Sequence, residues 1–89
     1  MFQITEAAAQ ELGVLRQSFR VPEICCLRLD IEETDALLRL DTFRPDDEVF
    51  DHAGQPVLVV GRECRQTCAG LVLDCEDSHF RILPSCELT

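Results

Sequence analysis

The stretch Asp47–Val60, DEVFDHAGQPVLVV, decides the fold. Glu48-Val49-Phe50 has the composition of a strand, Asp51-His52-Ala53-Gly54-Gln55 reads as a turn, and Pro56-Val57-Leu58-Val59-Val60 returns from it. Gly54 supplies the positive φ that such a turn commonly needs. Pro56 can open the returning strand, because a first position need not donate to the ladder. The run Val57–Val60 is β-branched, short and apolar on every side, so it cannot be an amphipathic helix.

A second hairpin lies upstream. In Ile24–Ile31 the alternation puts Cys25, Leu27, Leu29 and Ile31 inward and Cys26, Arg28 and Asp30 outward. Glu32-Glu33-Thr34-Asp35 is an acidic turn, and Ala36–Phe43 returns with Leu38 and Leu40 opposed to Arg39 and Asp41. The two hairpins are expected to face each other across one core.

The flanks add a helix and a third strand pair. Phe2-Gln3-Ile4 is a short strand at most, and Thr5 is placed to cap a helix over Glu6–Phe19. Ala8, Leu12, Leu15 and Phe19 fall on one face of it. Gly13 weakens this helix without ending it, and Val21-Pro22 closes it. After Gly61, Arg62–Ala69 forms a helical turn or two with Cys64 and Cys68 on one face, and Gly70 breaks it. Leu71–Cys75 is a strand, Glu76-Asp77-Ser78-His79 a polar turn, and Phe80–Leu83 a last strand that Pro84 stops. One helix followed by roughly six strands joined by tight turns predicts an α+β fold, a β-sandwich or partial barrel with an N-terminal helix.

At 89 residues the chain is read as a single domain over 1–89, since a division would leave two cores too small to be stable. Seventeen acidic against eight basic residues give a net charge of −9. That field repels nucleic acid and anionic membrane, and suits a protein that meets a basic partner or metal cations. No apolar run has the length of a membrane span and no signal peptide is legible, so a cytoplasmic location is expected. The six cysteines are then thiols before they are disulfides.

Cys64 and Cys68, four apart on a helical turn, are close enough to share a soft metal. A tetrahedral zinc site needs two more ligands, and Cys75, Cys86, His52 and His79 offer no second close pair. The favoured reading makes Cys64 and Cys68 small apolar groups that pack the short helix on the sheet. Adjacent Cys25 and Cys26 point to opposite faces, Cys25 into the core and Cys26 toward solvent. Cys75 alternates with Leu73 and packs. Cys86, in a polar tail with no core to fill, is the thiol free for intermolecular ligation or redox chemistry. The acidic turns Asp30–Asp35 and Asp46–Asp51 match no calcium-loop spacing. No nucleophile–base pair or phosphate-binding glycine loop is present, and the chain is read as a non-enzyme.

Several of these pieces, in this order, resemble the HesB/IscA family, the A-type proteins of iron–sulfur cluster biogenesis. Ile4-Thr5-Glu6-Ala7-Ala8-Ala9 is similar to that family's strand-to-helix start, and Leu27-Arg28-Leu29 to its first core strand. Asp47-Glu48-Val49-Phe50 with Gly54 and Val57-Leu58-Val59 resembles its D-x-V-F…G…V-x-V hairpin. Gly70-Leu71-Val72-Leu73-Asp74 resembles its G-[ST]-x-[IL]-D strand, and Phe80-Arg81-Ile82 its closing segment. The resemblance implies a small twisted β-sandwich with a few helices.

It also implies iron or cluster ligands that do not carry over. The family places one cysteine in a loop after the Leu-Arg-Leu strand, where this chain has Glu32-Glu33-Thr34-Asp35. The family's C-terminal Cys-Gly-Cys is missing, and only Cys86 stands near its place. The leading expectation is a non-catalytic, cysteine-degenerate member without a cofactor, acting on a protein partner in iron–sulfur or sulfur metabolism. One alternative is an iron or cluster carrier in which Cys86 from two subunits meets across a homodimer. The other is a small zinc or redox protein built on Cys64 and Cys68.

Overall fold

Why the apolar run of the deciding hairpin carries no polar alternation is plain from its position. A computed structural model of the chain describes residues 2–33 and 35–85. In chain order the elements are β1 (Gln3–Ile4), α1 (Glu6–Ser18), β2 (Cys25–Glu32), β3 (Asp35–Thr42), β4 (Glu48–His52), β5 (Gln55–Val60), α2 (Arg62–Thr67), β6 (Leu71–Glu76) and β7 (His79–Pro84). They form a four-stranded sheet in the order β3-β2-β5-β4 and a three-stranded sheet in the order β1-β6-β7. β5 is internal to the larger sheet, and Val57, Leu58, Val59 and Val60 are each at most 1% exposed. A strand covered on both faces reads as a continuous apolar run.

The two upstream hairpins do not oppose each other. They lie side by side in one sheet, joined where β2 runs parallel to β5 with Arg28 opposite Val59. The opposing layer is the β6–β7 hairpin, extended by β1 parallel to β6. Phe2, Ala8, Leu12, Leu27, Leu29, Leu58, Val60 and Leu73 meet between the layers, and the Phe2 and Phe50 rings stand edge to face with centroids 5.7 Å apart. The sheets are open and mixed and do not close into a barrel, so the sandwich alternative of the α+β expectation is the observed one.

Helix α1 starts as its sequence predicts. The Thr5 hydroxyl accepts the Ala8 N–H at 3.1 Å and donates to Asp74 Oδ1 at 2.7 Å, which ties the cap to β6. Its end differs. Phe19 is the C-cap and is 67% exposed, not the fourth residue of the buried face. Arg20 takes φ 50, its N–H donates to the Gln17 carbonyl, and the Val21 N–H donates to the Arg16 carbonyl. This Schellman geometry turns the chain before Pro22 and tucks Val21 into the core in place of Phe19.

The tight turns are shorter than the sequence suggests. Ala53-Gly54 alone joins β4 to β5, with φ of 53 and 78, and Asp77-Ser78 joins β6 to β7 with φ of 52 and 65. Positive φ at both central residues is the hairpin turn whose twist matches the strands. His52 is thus the last residue of β4, and a register shift between Phe50 and Asp51 falls beside Pro56. Leu40, expected inward, is 51% exposed because β3 is an edge strand with neighbours on one flank only.

Gly13 faces His52, and a Cβ built there would lie 3.7 Å from His52 Cδ2, an ordinary contact. Gly13→Ala is therefore expected to stabilise the protein by about 0.5–1 kcal/mol through helix propensity alone, read as a rise in the urea midpoint at unchanged m-value.

Candidate functional site

Two features not explained by the core alone sit side by side: the thiols of α2 and an arginine-centred ion cluster on the outer face of the larger sheet. The strand alternation places Cys26 and Arg28 on the face opposite Leu27 and Leu29, yet both are buried, at 1% and 2%. The expected assignment of the cysteines is thereby reversed. Cys26 is the buried one and Cys25, at the start of the strand beside the exposed Ile24, is half-buried. The reason is again that β2 is a central strand covered on both faces.

Arg28 is held by four hydrogen bonds. Nε donates to Asp41 Oδ2 at 2.9 Å, Nη1 to Asp47 Oδ1 at 2.8 Å, and Nη2 to Asp47 Oδ2 at 2.6 Å and to the Thr42 carbonyl at 3.0 Å. The Asp47 side chain is 2% exposed and also accepts the Arg44 N–H at 2.7 Å, and the Arg44 guanidinium reaches Asp41 at 3.0 Å. A forked, bidentate pair of this kind is the geometry in which guanidinium and carboxylate bind most strongly. The Arg28 hydrogen bond holds the Asp47 carboxyl below its usual range, and the Thr42 N–H, with Arg44 and Arg28, does the same for Asp41. Gly61 borders the cluster, and a Cβ there would fall 3.0 Å from Arg28 Nη1.

The cluster floors a cleft of about 490 Å3 between the β3–β4 connection, the outer face of β2 and β3, and the start of α2. Arg28, Arg39, Arg44 and Arg62 line it together with Asp30, Asp46, Asp47 and Glu63, so arginines and carboxylates are matched in its walls. Arg39 is paired with Asp30 at 2.8 Å. Cys64 opens onto this cleft.

Cys64 is partly buried and Cys68 is 0% exposed within the core cluster, as the packing reading of the sequence expects of Cys68. Cys64 and Cys68 lie within electrostatic reach of each other. Burial first, and then the neighbouring Cys64, push the Cys68 thiol up to about 12; burial also raises Cys64. Cys75 is half-buried on β6, and its thiol too is raised by burial. Cys86 lies outside the described residues. His52 rests beside α1, 3.9 Å from Glu6 Oε1, and His79 is exposed at the start of β7. The ion cluster is what sequence reasoning missed. Its available signal was a charged residue, Arg28, inside an otherwise apolar strand core, followed by acids at Asp41 and Asp47.

An iron–sulfur cluster is held by several thiolates converging on one point. The described residues do not fit one: Cys25 and Cys26 point apart, Cys75 is in the other sheet, and α2 offers two sulfurs at most, Cys64 and Cys68. Among the described residues no three of His, Cys, Asp and Glu are grouped so as to hold a metal ion. No helix among them is long and apolar enough to cross a membrane.

No protein-family model matches the sequence, and no curated protein matches it. Solved structures do. Escherichia coli SufA, described as involved in biosynthesis of iron–sulfur clusters, is 22% identical and superposes with a TM-score of 0.61 over 94% of this chain and 80% of its own. A protein from Aquifex aeolicus, solved by solution NMR, is 23% identical with a TM-score of 0.64 over 92% of this chain and 89% of its own. IscA, solved with a [2Fe-2S] cluster, is 23% identical with a TM-score of 0.51 over 94% of this chain and 82% of its own. The chain has the fold of these proteins, the HesB/IscA-like fold that its sequence resembles.

Two outcomes follow from the geometry. Asp47→Asn leaves a buried guanidinium short of its bidentate partner and should cost about 3 kcal/mol in urea melts at neutral pH. Because the folded state holds Asp47 below the ordinary 3.8, the stability it contributes is complete above that value and is lost as pH falls through the folded value. The gap between wild type and Asp47→Asn should therefore be constant above about pH 5 and close at lower pH. Cys68 should react with a thiol reagent only at the rate of unfolding, and mass spectrometry of peptides from timed labelling checks this.

Proposed function

We propose that this chain is a cysteine-degenerate protein of the HesB/IscA group that serves as a non-catalytic binding or accessory module in iron–sulfur cluster or sulfur metabolism. One observation carries the reading. The fold of SufA and IscA is kept over more than nine-tenths of the chain, while the turn after the Leu27-Arg28-Leu29 strand offers Glu32, Glu33 and Asp35 where the family it resembles places a cysteine. Those are hard oxygen donors, and iron–sulfur clusters are bound by soft thiolates. What remains for function is the surface: acidic turns suited to a basic protein partner, and the cleft walled by matched arginines and carboxylates. A protein of this kind acts by contact, with no reaction of its own.

A second reading is favoured by the IscA structure, which is described as holding a [2Fe-2S] cluster. In that reading the chain carries iron or a cluster on Cys86 from two subunits of a homodimer, with the cluster as cargo. Anaerobic reconstitution with ferrous iron and sulfide, followed by visible absorption, separates the two. The accessory module stays colourless and retains no stoichiometric iron, and Cys86→Ser leaves its thermal midpoint unchanged. Brown protein with matching iron and sulfide, lost in Cys86→Ser, would establish the carrier instead.

A further inference from the structure

Helix α1 and the β4–β5 hairpin border a second cleft, of about 370 Å3, that neither reading above uses. Gln10, Gly13 and Gln17 recur at spacings of three and four along α1 and form one wall. His52 and Gln55, a cross-strand pair beside the Ala53-Gly54 turn, form the other. Gly13 lets the walls come close, since even an added Cβ would stand 3.7 Å from His52 Cδ2. Val14 and the enclosed Val57 supply apolar surface between them.

Arg16 also lines this cleft. Arg28, Arg39, Arg44 and Arg81 are each paired with carboxylates, whereas Arg16 has no ion pair among the described residues. Its Nε is closed to solvent and donates to no group, the one buried side-chain nitrogen or oxygen among the described residues in that state. A buried donor without an acceptor is costly, so such an atom calls for a partner from outside the chain. Among the described residues no carboxylate lines the cleft. Glu6, with its side chain 74% exposed, reaches only Gln10 at 3.5 Å and His52 at 3.9 Å. The helical rise puts Glu6 about 15 Å along α1 from Arg16. Glu11 and Asp51, chain neighbours of Gln10 and His52, do not line the cleft.

The chemistry of the missing partner follows from the donors. A guanidinium fork pairs best with the two oxygens of a carboxylate. One cation in a chain of net charge −9 balances a monoanion and leaves a phosphate dianion half-compensated. The amides of Gln10, Gln17 and Gln55 can both donate to and accept from polar groups on the same molecule. The volume lies near the lower end for ligand sites, which selects a small occupant. An acidic polypeptide would meet the repulsion of the whole chain, and a small monoanion meets it with a single charge. We propose that this cleft binds a small organic monocarboxylate, with the carboxylate on Arg16 and the body of the molecule between α1 and the β4–β5 turn.

The test titrates the full-length protein with butyrate and follows the Arg16 Nε–H signal by proton–nitrogen NMR, with circular dichroism of each variant as the control for folding. Butyrate is expected to move that signal saturably at roughly millimolar concentration, as suits so small a ligand. Butyramide, its neutral isostere, should bind about 10- to 100-fold more weakly, the range for a hydrogen bond to a charged group. Arg16→Gln, followed through the side-chain amide signals of Gln10 and Gln17, should lose as much. Arg16→Lys keeps the charge and gives up the fork, and it too should bind more weakly than wild type. No saturable shift with butyrate, equal binding of butyramide, or wild-type affinity in either folded Arg16 variant would overturn the proposal. Tighter binding of inorganic phosphate would overturn the choice of anion. Tighter binding of a tripeptide with capped ends and a central aspartate would overturn the small-molecule assignment in favour of a partner protein's carboxylate. None of these readouts involves iron or sulfide, so this proposal and the accessory reading can fail separately.

Discussion

The forked pair between Arg28 and Asp47 is the constraint around which the larger sheet is arranged. It fixes the β3–β4 connection to the outer face of β2, although that connection leaves β3 at one edge of the sheet and enters β4 at the other. A charged group this deeply buried costs several kcal/mol to desolvate, and only a complete set of partners repays it. Arg28 has that set, from two carboxylates and a carbonyl. The cost explains two neighbouring residue choices. Gly61 must stay small because any side chain would press on the guanidinium. Arg44 must lie near, because it shares Asp41 and lends its backbone N–H to Asp47.

Much of the architecture was legible because local physics and tertiary structure agreed. The Thr5 cap, the existence of both helices and all of the strands follow from capping chemistry, glycine and proline placement and alternation. The sheet partnership did not, because periodicity states that a strand has an inward face without saying which strand lies beside it. Hence two hairpins expected to oppose each other prove to be neighbours, joined by a parallel pairing that no turn signal announces. Cys25 and Cys26 were reversed for the same reason: alternation assumes one wet face, and a central strand has none. Phe19 was misplaced because Arg20 adopts the left-handed conformation at the end of α1, a position where glycine is the readable signal.

The candidate site was legible in part. The spacing of Cys64 and Cys68 puts them on one side of α2, and the structure encloses Cys68 in the core while Cys64 borders the cleft. The arginine cluster was hidden because its members, Arg28, Asp41 and Asp47, belong to separate segments, and each alone resembles a solvated charge. Both Arg28 and Asp47 fall in the stretches that carry the family resemblance, and in the fold each neutralises the other.

The junction of Thr5 with Asp74 has a consequence for how the chain can be made. The hydroxyl that caps α1 is oriented by a carboxylate 69 residues later, and β1 pairs with β6. A ribosome therefore releases the N-terminal helix long before its cap partner and the β6 strand it packs on exist. The four-stranded sheet can assemble as it emerges, whereas the opposing layer must wait for the last hairpin, so closure of the core is a late event dominated by distant contacts, the kind that slow folding. Until then α1 can pack only on the four-stranded sheet, and the side of it that meets β6 stays uncovered.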